Sequence, residues 1–190
     1  MANGESRSDV MNVAVGLNPR YDVPKPFQSF QSRRRRSKPD MANTYSQIYL
    51  HIVFSTKNRD TLIYRDIEER VWAYMGGIAK RHEMTPIQIG GIEDHTHVLV
   101  GTPTTVSASQ AAKVIKGDSS RWIHETFPRL HDFAWQDGYG VFSVSRSAIP
   151  DVVDYIKRQR EHHAERSFED EYRSLLRLHD IDFDERFLLG

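Results

Sequence analysis

The sequence predicts an α+β fold of the ferredoxin-like, split βαβ (RRM-like) type, and three observations lead to this prediction. Segments with the two-residue period of strands and segments with the period of helices follow one another in the order β-α-β-β-α-β-α. That order is the split βαβ layout with one extra C-terminal helix. The 190 residues, 38% of them hydrophobic, suffice to bury one core. We therefore expect an antiparallel sheet with helices on one face, which leaves the other face for a site.

The first half of the pattern supplies three strands and one helix. Residues 45–56, "YSQIYLHIVFST", alternate in polarity and are rich in β-branched and aromatic residues, which is typical of a strand. Residues 64–83 carry apolar residues at helical intervals and end in basic residues, as helices often do. "MTPIQIGGI" and "HTHVLVGTP" then indicate two strands joined by a polar break.

The second half supplies two helices and one strand. Residues 107–127 have helical spacing, and Gly117 is expected to kink or interrupt this helix. "GYGVFSVS" indicates a short strand that glycines introduce. Residues 145–165 are predicted to form the last helix, with Ser147 as its cap and Pro150 in its first turn.

The first 40 residues differ from the rest of the chain. They are rich in Ser, Pro, Gly and Arg and show no periodicity, so residues 1–40 are expected to be a disordered basic extension. The run Arg33–Arg36 is either an arm that binds phosphates or part of a solvated tail. Met41 is an alternative start. Residues 41–190 are expected to form the functional domain, including an acidic C-terminal tail.

Composition excludes several classes of function. The net charge of zero gives no global sign of nucleic-acid binding, so such binding has to be argued from local chemistry. Because there is no cysteine, disulfides and thiolate zinc sites are excluded, and His, Asp, Glu, Gln and water remain as metal ligands. Since no long apolar run and no secretory signal pattern occurs, we expect no membrane span and a cytoplasmic location.

Four candidate site residues form two pairs whose spacings place the members of each pair on one face of a strand or helix. His95 and His97 are two apart on a predicted strand and therefore share one face, and Tyr155 and Gln159 are four apart on the last helix. Each pair alone also fits an ordinary structural role. Together, two imidazoles and an amide oxygen can make a three-ligand metal site with open positions, beside which a phenol can act as a nucleophile. This combination is suited to phosphoryl transfer.

Several motifs, in order, resemble one known family. They are "DHTH" followed by "VLVGTP", then "GYGVFSVSRS", "YIKRQREHH" and "SFEDEYRSLLRLHDIDFDERFL". The chain resembles the single-tyrosine HUH transposases of small bacterial insertion sequences. It is especially similar to their domesticated relatives associated with repetitive extragenic palindromes. The resemblance covers about residues 43 to 189.

The resemblance implies a mechanism and a set of roles. His95 and His97 would bind a divalent metal, Mg²⁺ or Mn²⁺, with Gln159 as the third ligand, and Tyr155 would be the nucleophile. The family cleaves and rejoins single-stranded DNA through a 5′-phosphotyrosine intermediate and recognises hairpin ends. Members are generally homodimers, in which the tyrosine helix can serve either its own histidines or those of the other subunit. Thr96 stands where the family usually has a bulky apolar residue, and it is expected to face away from the metal.

Basic residues around these motifs are candidate DNA contacts. Exposed Trp122 or Trp135 would stack on unpaired bases, although a solvated helix face and two core tryptophans are an equally acceptable interpretation. His162 and His163 would move protons or hold phosphate, or would be plain surface residues. The candidate phosphate contacts are Lys113, Lys116, Arg121, Arg146, Lys157, Arg158 and Arg160.

Two other functions stay open at this point. One is a plain metal nuclease, or a replication-initiating endonuclease of the wider HUH group. The other is a catalytically silent nucleic-acid-binding module, since the ferredoxin-like sheet is also the RNA-recognition layout. The aromatic signature of that module is poorly represented on the predicted central strands.

Overall fold

A computed structural model describes residues 45–164 and 166–188 of the chain, with only the backbone given at position 187. The predicted extension of residues 1–40 lies outside the described residues. From Gln47 onward the chain forms one compact unit around a four-stranded antiparallel sheet. The strands are β1 (Ile48–Ser55), β2 (Thr85–Ile92), β3 (His95–Thr102) and β4 (Gly140–Ser143), in the order β2-β3-β1-β4. This order confirms the predicted split βαβ fold.

Two helices cover one face of the sheet. They are α1 (Glu68–Arg81) and α2 (Ala108–Thr126), and their apolar faces pack on alternate residues of the central strands, such as Ile52 and Val98. The predicted kink at Gly117 is wrong, because α2 continues through this residue. A single glycine costs a helix only about 1 kcal/mol, and the packing of α2 on the sheet outweighs that cost.

Three further helices cover the opposite face. They are α3 (Ile149–Lys157), α4 (Gln159–His162) and α5 (Phe168–Leu178). The helix predicted for residues 145–165 is thus divided, since the chain leaves helical geometry at Arg158 (φ −96°, ψ 15°). Ser147 is not the cap: a 3₁₀ turn precedes α3, and the Ser145 hydroxyl accepts from the Ala148 amide at 3.3 Å.

The acidic C-terminal segment contains a helix of its own. Ser167 caps α5 by accepting from the Asp170 amide at 3.2 Å, and acidic residues occupy the first turn. The apolar stripe of α5 then forms a second core against β1 and β4. This core consists of Val53, Phe142, Phe168, Tyr172, Leu175, Leu176 and Leu188.

Two glycines in the β2–β3 region allow close approach of the backbone. A Cβ on Gly90 would lie 2.9 Å from the Ile156 Cγ2 atom and 3.2 Å from the Ile156 carbonyl oxygen, so α3 lies directly on β2 at this point. Gly91 has a φ of 155°, and a Cβ there would lie 2.2 Å from the His95 carbonyl oxygen. A side chain at either position would displace α3 or the histidine strand.

Among the helices that the structure describes, none combines the length and the apolar character that a membrane crossing requires.

Candidate active site and metal centre

The two histidines lie side by side on the inner strand β3. His95 and His97 are fully buried, and their ring centroids are 5.1 Å apart. Both rings point to the face that α3, α4 and α5 cover. Thr96, between them, points to the other face and donates its hydroxyl to the Gly90 carbonyl at 3.1 Å.

The Nδ1 atom of each imidazole contacts a neighbouring polar side chain. The Nδ1 of His95 lies 2.7 Å from a carboxylate oxygen of Asp94, and the Nδ1 of His97 lies 3.0 Å from the Nε2 of His51. An ionised carboxylate only accepts hydrogen bonds, so the Nδ1 of His95 carries the proton. Partners of this kind fix ring orientation and tautomer in metal sites and leave Nε2 free for a ligand role.

The structure brings Gln159 and Tyr155 to the same place, in the same chain. The Gln159 carbonyl oxygen lies 2.9 Å from the His95 Nε2, and its amide nitrogen donates to the Glu171 carboxylate at 2.8 Å. The Tyr155 hydroxyl donates to that carboxylate as well. The rings of Tyr155 and His97 have centroids 5.7 Å apart.

Glu171, which sequence reasoning missed, is the centre of this cluster. It extends from α5, is only 3% exposed, and places its oxygens 3.5 Å from the His97 Nε2 and 3.7 Å from the His95 Nε2. Its second oxygen also accepts from the His163 Nε2 at 2.9 Å. One signal was available in the sequence: Glu171 interrupts the apolar stripe of an amphipathic segment, between Phe168 and Leu175.

These groups can hold a metal ion. Candidate ligand atoms of His95, His97 and Glu171 all lie within 4.8 Å of one another, and all three residues are buried. The His97 Nε2 has no hydrogen-bond partner despite its burial, although buried polar atoms almost always have one. A cation facing Nε2 would satisfy this atom, and the Gln159 carbonyl oxygen would be an additional neutral ligand.

The polar cluster shifts the ionisation of its members. Burial alone would raise the pKa of Glu171, but the charge of His97 and the hydrogen bond from His163 lower it well below its usual value. Burial opposes protonation of His163, yet its hydrogen bond to Glu171 raises the pKa of this imidazole. Burial, reinforced by the Glu171 charge, raises the pKa of the Tyr155 phenol, which therefore keeps its proton at neutral pH.

Two of the predicted phosphate contacts are engaged inside the protein. The guanidinium of Arg160 donates to Glu93 at 2.7 Å and to Glu68 at 2.6 Å. The ammonium of Lys116 donates to the main-chain carbonyls of residues 136, 137 and 138, at 2.6, 3.2 and 2.8 Å. Neither side chain is therefore a free cation at the surface.

The other predicted contacts are exposed but lie in two layers. Lys157 and Arg158 flank the site, and Arg146 precedes α3, whereas Lys113 and Arg121 lie on α2 across the sheet.

The two tryptophans are not exposed platforms for bases. Trp135 is buried and donates to the Ser119 hydroxyl at 3.0 Å, and Trp122 stacks on Tyr74 with centroids 4.3 Å apart. Of the two interpretations of these residues, core packing is the one that the structure shows.

Comparison with known proteins identifies the family. The family model described as "Transposase IS200 like" matches residues 44–159. The chain belongs to this IS200-like transposase family. The transposase is thus an enzyme, and the matched range ends at Gln159, which leaves Glu171 outside it.

The chain is also similar to individual relatives and, in its fold, to solved structures. The chain is similar to the transposase for insertion sequence element IS200 of Salmonella typhimurium, with 28% identity over 127 residues, 64% of this chain and 82% of the relative. A transposase structure from Deinococcus radiodurans superimposes with a TM-score of 0.53 at 20% identity, covering 64% of this chain and 98% of that one. A REP-associated tyrosine transposase bound to a REP hairpin gives a TM-score of 0.49 at 15% identity, covering 70% and 74%.

Proposed function

We propose that this transposase cleaves and rejoins single-stranded DNA through a 5′-phosphotyrosine formed at Tyr155. One observation carries the proposal: the Tyr155 hydroxyl, the Gln159 amide and the imidazoles of His95 and His97 all meet the Glu171 carboxylate within one chain. Phosphoryl transfer can use a nucleophile placed beside a metal ion, and these residues supply the nucleophile and the metal ligands.

The chemistry assigns a task to the phenol and to its partner. The Tyr155 oxygen forms a bond to phosphorus, the bond from phosphorus to the 3′ oxygen breaks, and that oxygen leaves and takes up a proton to become a 3′ hydroxyl. Because its pKa is raised, the phenol attacks only when a base receives its proton. Glu171 already accepts this hydrogen bond and is the base that we propose. The phosphotyrosine keeps the phosphodiester bond energy, so another 3′ hydroxyl can reseal the strand without a nucleotide cofactor.

The metal in this proposal is Mg²⁺ or Mn²⁺. His95 and His97 would bind it through Nε2, with Gln159 as the third ligand and Glu171 as a neighbouring carboxylate. Oxygen ligands suit both ions. When bound, the ion would polarise the phosphoryl group as a Lewis acid.

The proposed substrate is single-stranded DNA with a hairpin, as the resemblance implies. Lys157 and Arg158 are exposed beside the site, and Arg146 is exposed in the turn before α3; all three would neutralise phosphates of the bound strand. Lys113 and Arg121 would contact only DNA that extends to the other layer. The proposed assembly is a homodimer in the cytoplasm, where cellular DNA is accessible.

A labelled hairpin oligonucleotide tests the proposal. With Mg²⁺ or Mn²⁺, a label at the 3′ end should become attached to denatured protein, whereas a label at the 5′ end should appear on a free fragment. Tyr155→Phe should abolish the attachment. Tyr139→Phe is the matched control and should retain it, because Tyr139 is an exposed tyrosine that contacts Lys116.

Other results would point to the competing functions. Cleavage that persists in Tyr155→Phe without attachment indicates a metal nuclease. Hairpin binding that persists in chelator, with no cleavage in any metal, indicates a catalytically silent binding module. Attachment of the 5′ label would show that the polarity of the covalent link is wrong.

A further inference from the structure

Arg160 uses both arms of its guanidinium within the protein. One arm donates to Glu93, in the β2–β3 turn, and the other donates to Glu68, in the first turn of α1, at 2.7 and 2.6 Å. The planar fork of arginine suits two carboxylates at once, and such charge-assisted bonds are the strong ones. Arg160 therefore ties α4 to two other elements of the fold.

The helix that carries Gln159 depends on such ties. Helix α4 has four residues and is separated from α3 by the break at Arg158. A single helical turn is not stable by itself, because nucleation costs more than so few hydrogen bonds return. The place of the Gln159 amide is thus decided by what fixes α4 from outside.

The turn to which Arg160 binds is firmly attached on its other side. The Glu93 carbonyl accepts from the amides of Leu62 and Ile63 at 3.0 and 2.9 Å, and the Asp94 carbonyl accepts from the Thr56 amide at 2.8 Å. The Asp94 side chain holds the His95 ring. Arg160, the residue next to Gln159, is therefore bound to the turn that orients His95.

The charge of Arg160 is already balanced within the protein. The guanidinium faces two carboxylates, whose side chains are only 23% and 27% exposed, and Arg65 stands 3.5 Å from Glu93. A DNA phosphate would have to displace carboxylates that the fold already holds in place.

We propose that Arg160 is a positioning residue of the metal centre, which holds Gln159 against His95, and not the DNA contact that its basic neighbours suggest. The inference rests on the proposed metal site. It assigns to Arg160 an effect on metal affinity that should appear without DNA.

Calorimetric titration of the full-length, DNA-free protein with Mn²⁺ tests the inference. Arg160→Met should bind Mn²⁺ about tenfold more weakly, the lower end of the loss seen when the orientation of a metal ligand is disturbed. Arg160→Lys should fall between this variant and the wild type, because an ammonium keeps the charge but loses the fork. Arg129→Met is the control: it removes a 2.6 Å pair with Asp66 that joins other segments, and it should bind as the wild type does.

The carboxylate partners supply a second set of variants. Combined Glu68→Gln and Glu93→Gln should weaken Mn²⁺ binding as much as Arg160→Met does, and adding Arg160→Met should weaken it no further. Circular dichroism confirms that each variant is folded. This non-additivity holds only if the three side chains act as one unit.

A DNA-contact role gives the opposite pattern. Anisotropy of a labelled hairpin in chelator would then show weaker binding by Arg160→Met, with the salt slope lower by about one, and tighter binding by the glutamine variants. Unchanged Mn²⁺ affinity in Arg160→Met with this DNA pattern overturns the inference. A wild-type protein that binds no Mn²⁺ overturns the proposed metal site itself, which separates the two failures.

Discussion

At the scale of the residue, Glu171 is the side chain that organises the site. One buried carboxylate accepts hydrogen bonds from Tyr155, Gln159 and His163. Burying an unpaired carboxylate is costly, so these donors are what allow it to stay ionised. The same donors bring three helices together at one point.

Glu171→Gln should therefore change the pH dependence of stability in chelator. The pKa of Glu171 is lowered below 4.5, so its stabilising contribution is lost as the pH falls through the folded value. The pKa of His163 is raised above 6.5, so its contribution is lost as the pH rises through that value. Denaturant unfolding should show the largest difference between wild type and Glu171→Gln between these two pKa values. A difference that is constant with pH contradicts the ion pair.

His51 supports His97 from the neighbouring strand. Burial, and then the neighbouring His97, lower the pKa of His51 well below its usual value, so a neutral ring with one accepting nitrogen stands 3.0 Å from the His97 Nδ1. We expect His51→Phe to weaken Mn²⁺ binding about tenfold. Nitrogen NMR should show that His97 no longer holds its proton at Nδ1.

The control for this change is His131→Phe. His131 is exposed and contacts Asp132, so its replacement should leave both the Mn²⁺ affinity and the His97 signals unaltered. Equal losses in the two variants would mean that loss of any imidazole, and not the bond to His97, causes the effect.

Local spacing predicts part of the site and long-range contacts supply the rest. The two-residue period of a strand is enough to pair His95 with His97, and the helical period is enough to pair Tyr155 with Gln159. Glu171 lies on a separate helix, 12 residues after Gln159, and the carboxylate partners of Arg160 are 67 and 92 residues away from it. No periodicity specifies which other segment folds against a site.

At the scale of the element, the docking of α3 on β2 decides where Tyr155 lies. Gly90 permits the contact, since any larger residue would meet Ile156. Gly90→Ala should lower the free energy of unfolding by about 1–3 kcal/mol, the usual cost of overpacking, and should shift α3 together with Tyr155. Denaturant unfolding measures the first effect and attachment of the labelled hairpin measures the second.

Two variants make this prediction specific. Ile156→Ala removes the atom that the new methyl group meets, so the double variant should be more stable than the sum of the two single effects predicts. Gly77→Ala, in α1, meets nothing within 4 Å and should stabilise the protein by about 0.5–1 kcal/mol. Additive losses at positions 90 and 156 would contradict the steric explanation.

Periodicity and turn residues predicted all four strands and the helices α1 and α2. They did not predict how the segment of residues 145–165 divides into a 3₁₀ turn and two helices. The break at Arg158 and the capping by Ser145 depend on how the segment settles on the sheet, and a helical pattern does not register that choice. Gly117 favours a kink in an isolated helix, but the packing of α2 on the sheet outweighs the cost of this residue.

At the scale of the molecule, the sheet separates a structural layer from a chemical one. Helices α1 and α2 form the main core with one face, while α3, α4 and α5 enclose the polar cluster on the other. Candidate phosphate contacts on α2 are thus distant in the fold from those around Arg158. The central strands belong to both layers, and the pair between Arg160 and Glu68 joins α4 to α1.

The predicted boundary at residue 40 is open to a direct test. We expect a protein of residues 41–190 to unfold at the same denaturant concentration as the full chain, because the compact unit begins at Gln47. Hairpin affinity at rising salt measures whether Arg33–Arg36 contribute. An arm that binds phosphates would add to the salt slope, and a solvated tail would not. Earlier unfolding of the shortened protein would refute the boundary.

Because Tyr155 lies beside the histidines of its own polypeptide, a solitary molecule already holds every group that strand scission is proposed to need. The rate of strand cleavage per protein molecule should then stay constant on dilution to concentrations at which any dimer has separated. Sealing one DNA end to another, which requires two broken strands, is where a second copy would begin to matter.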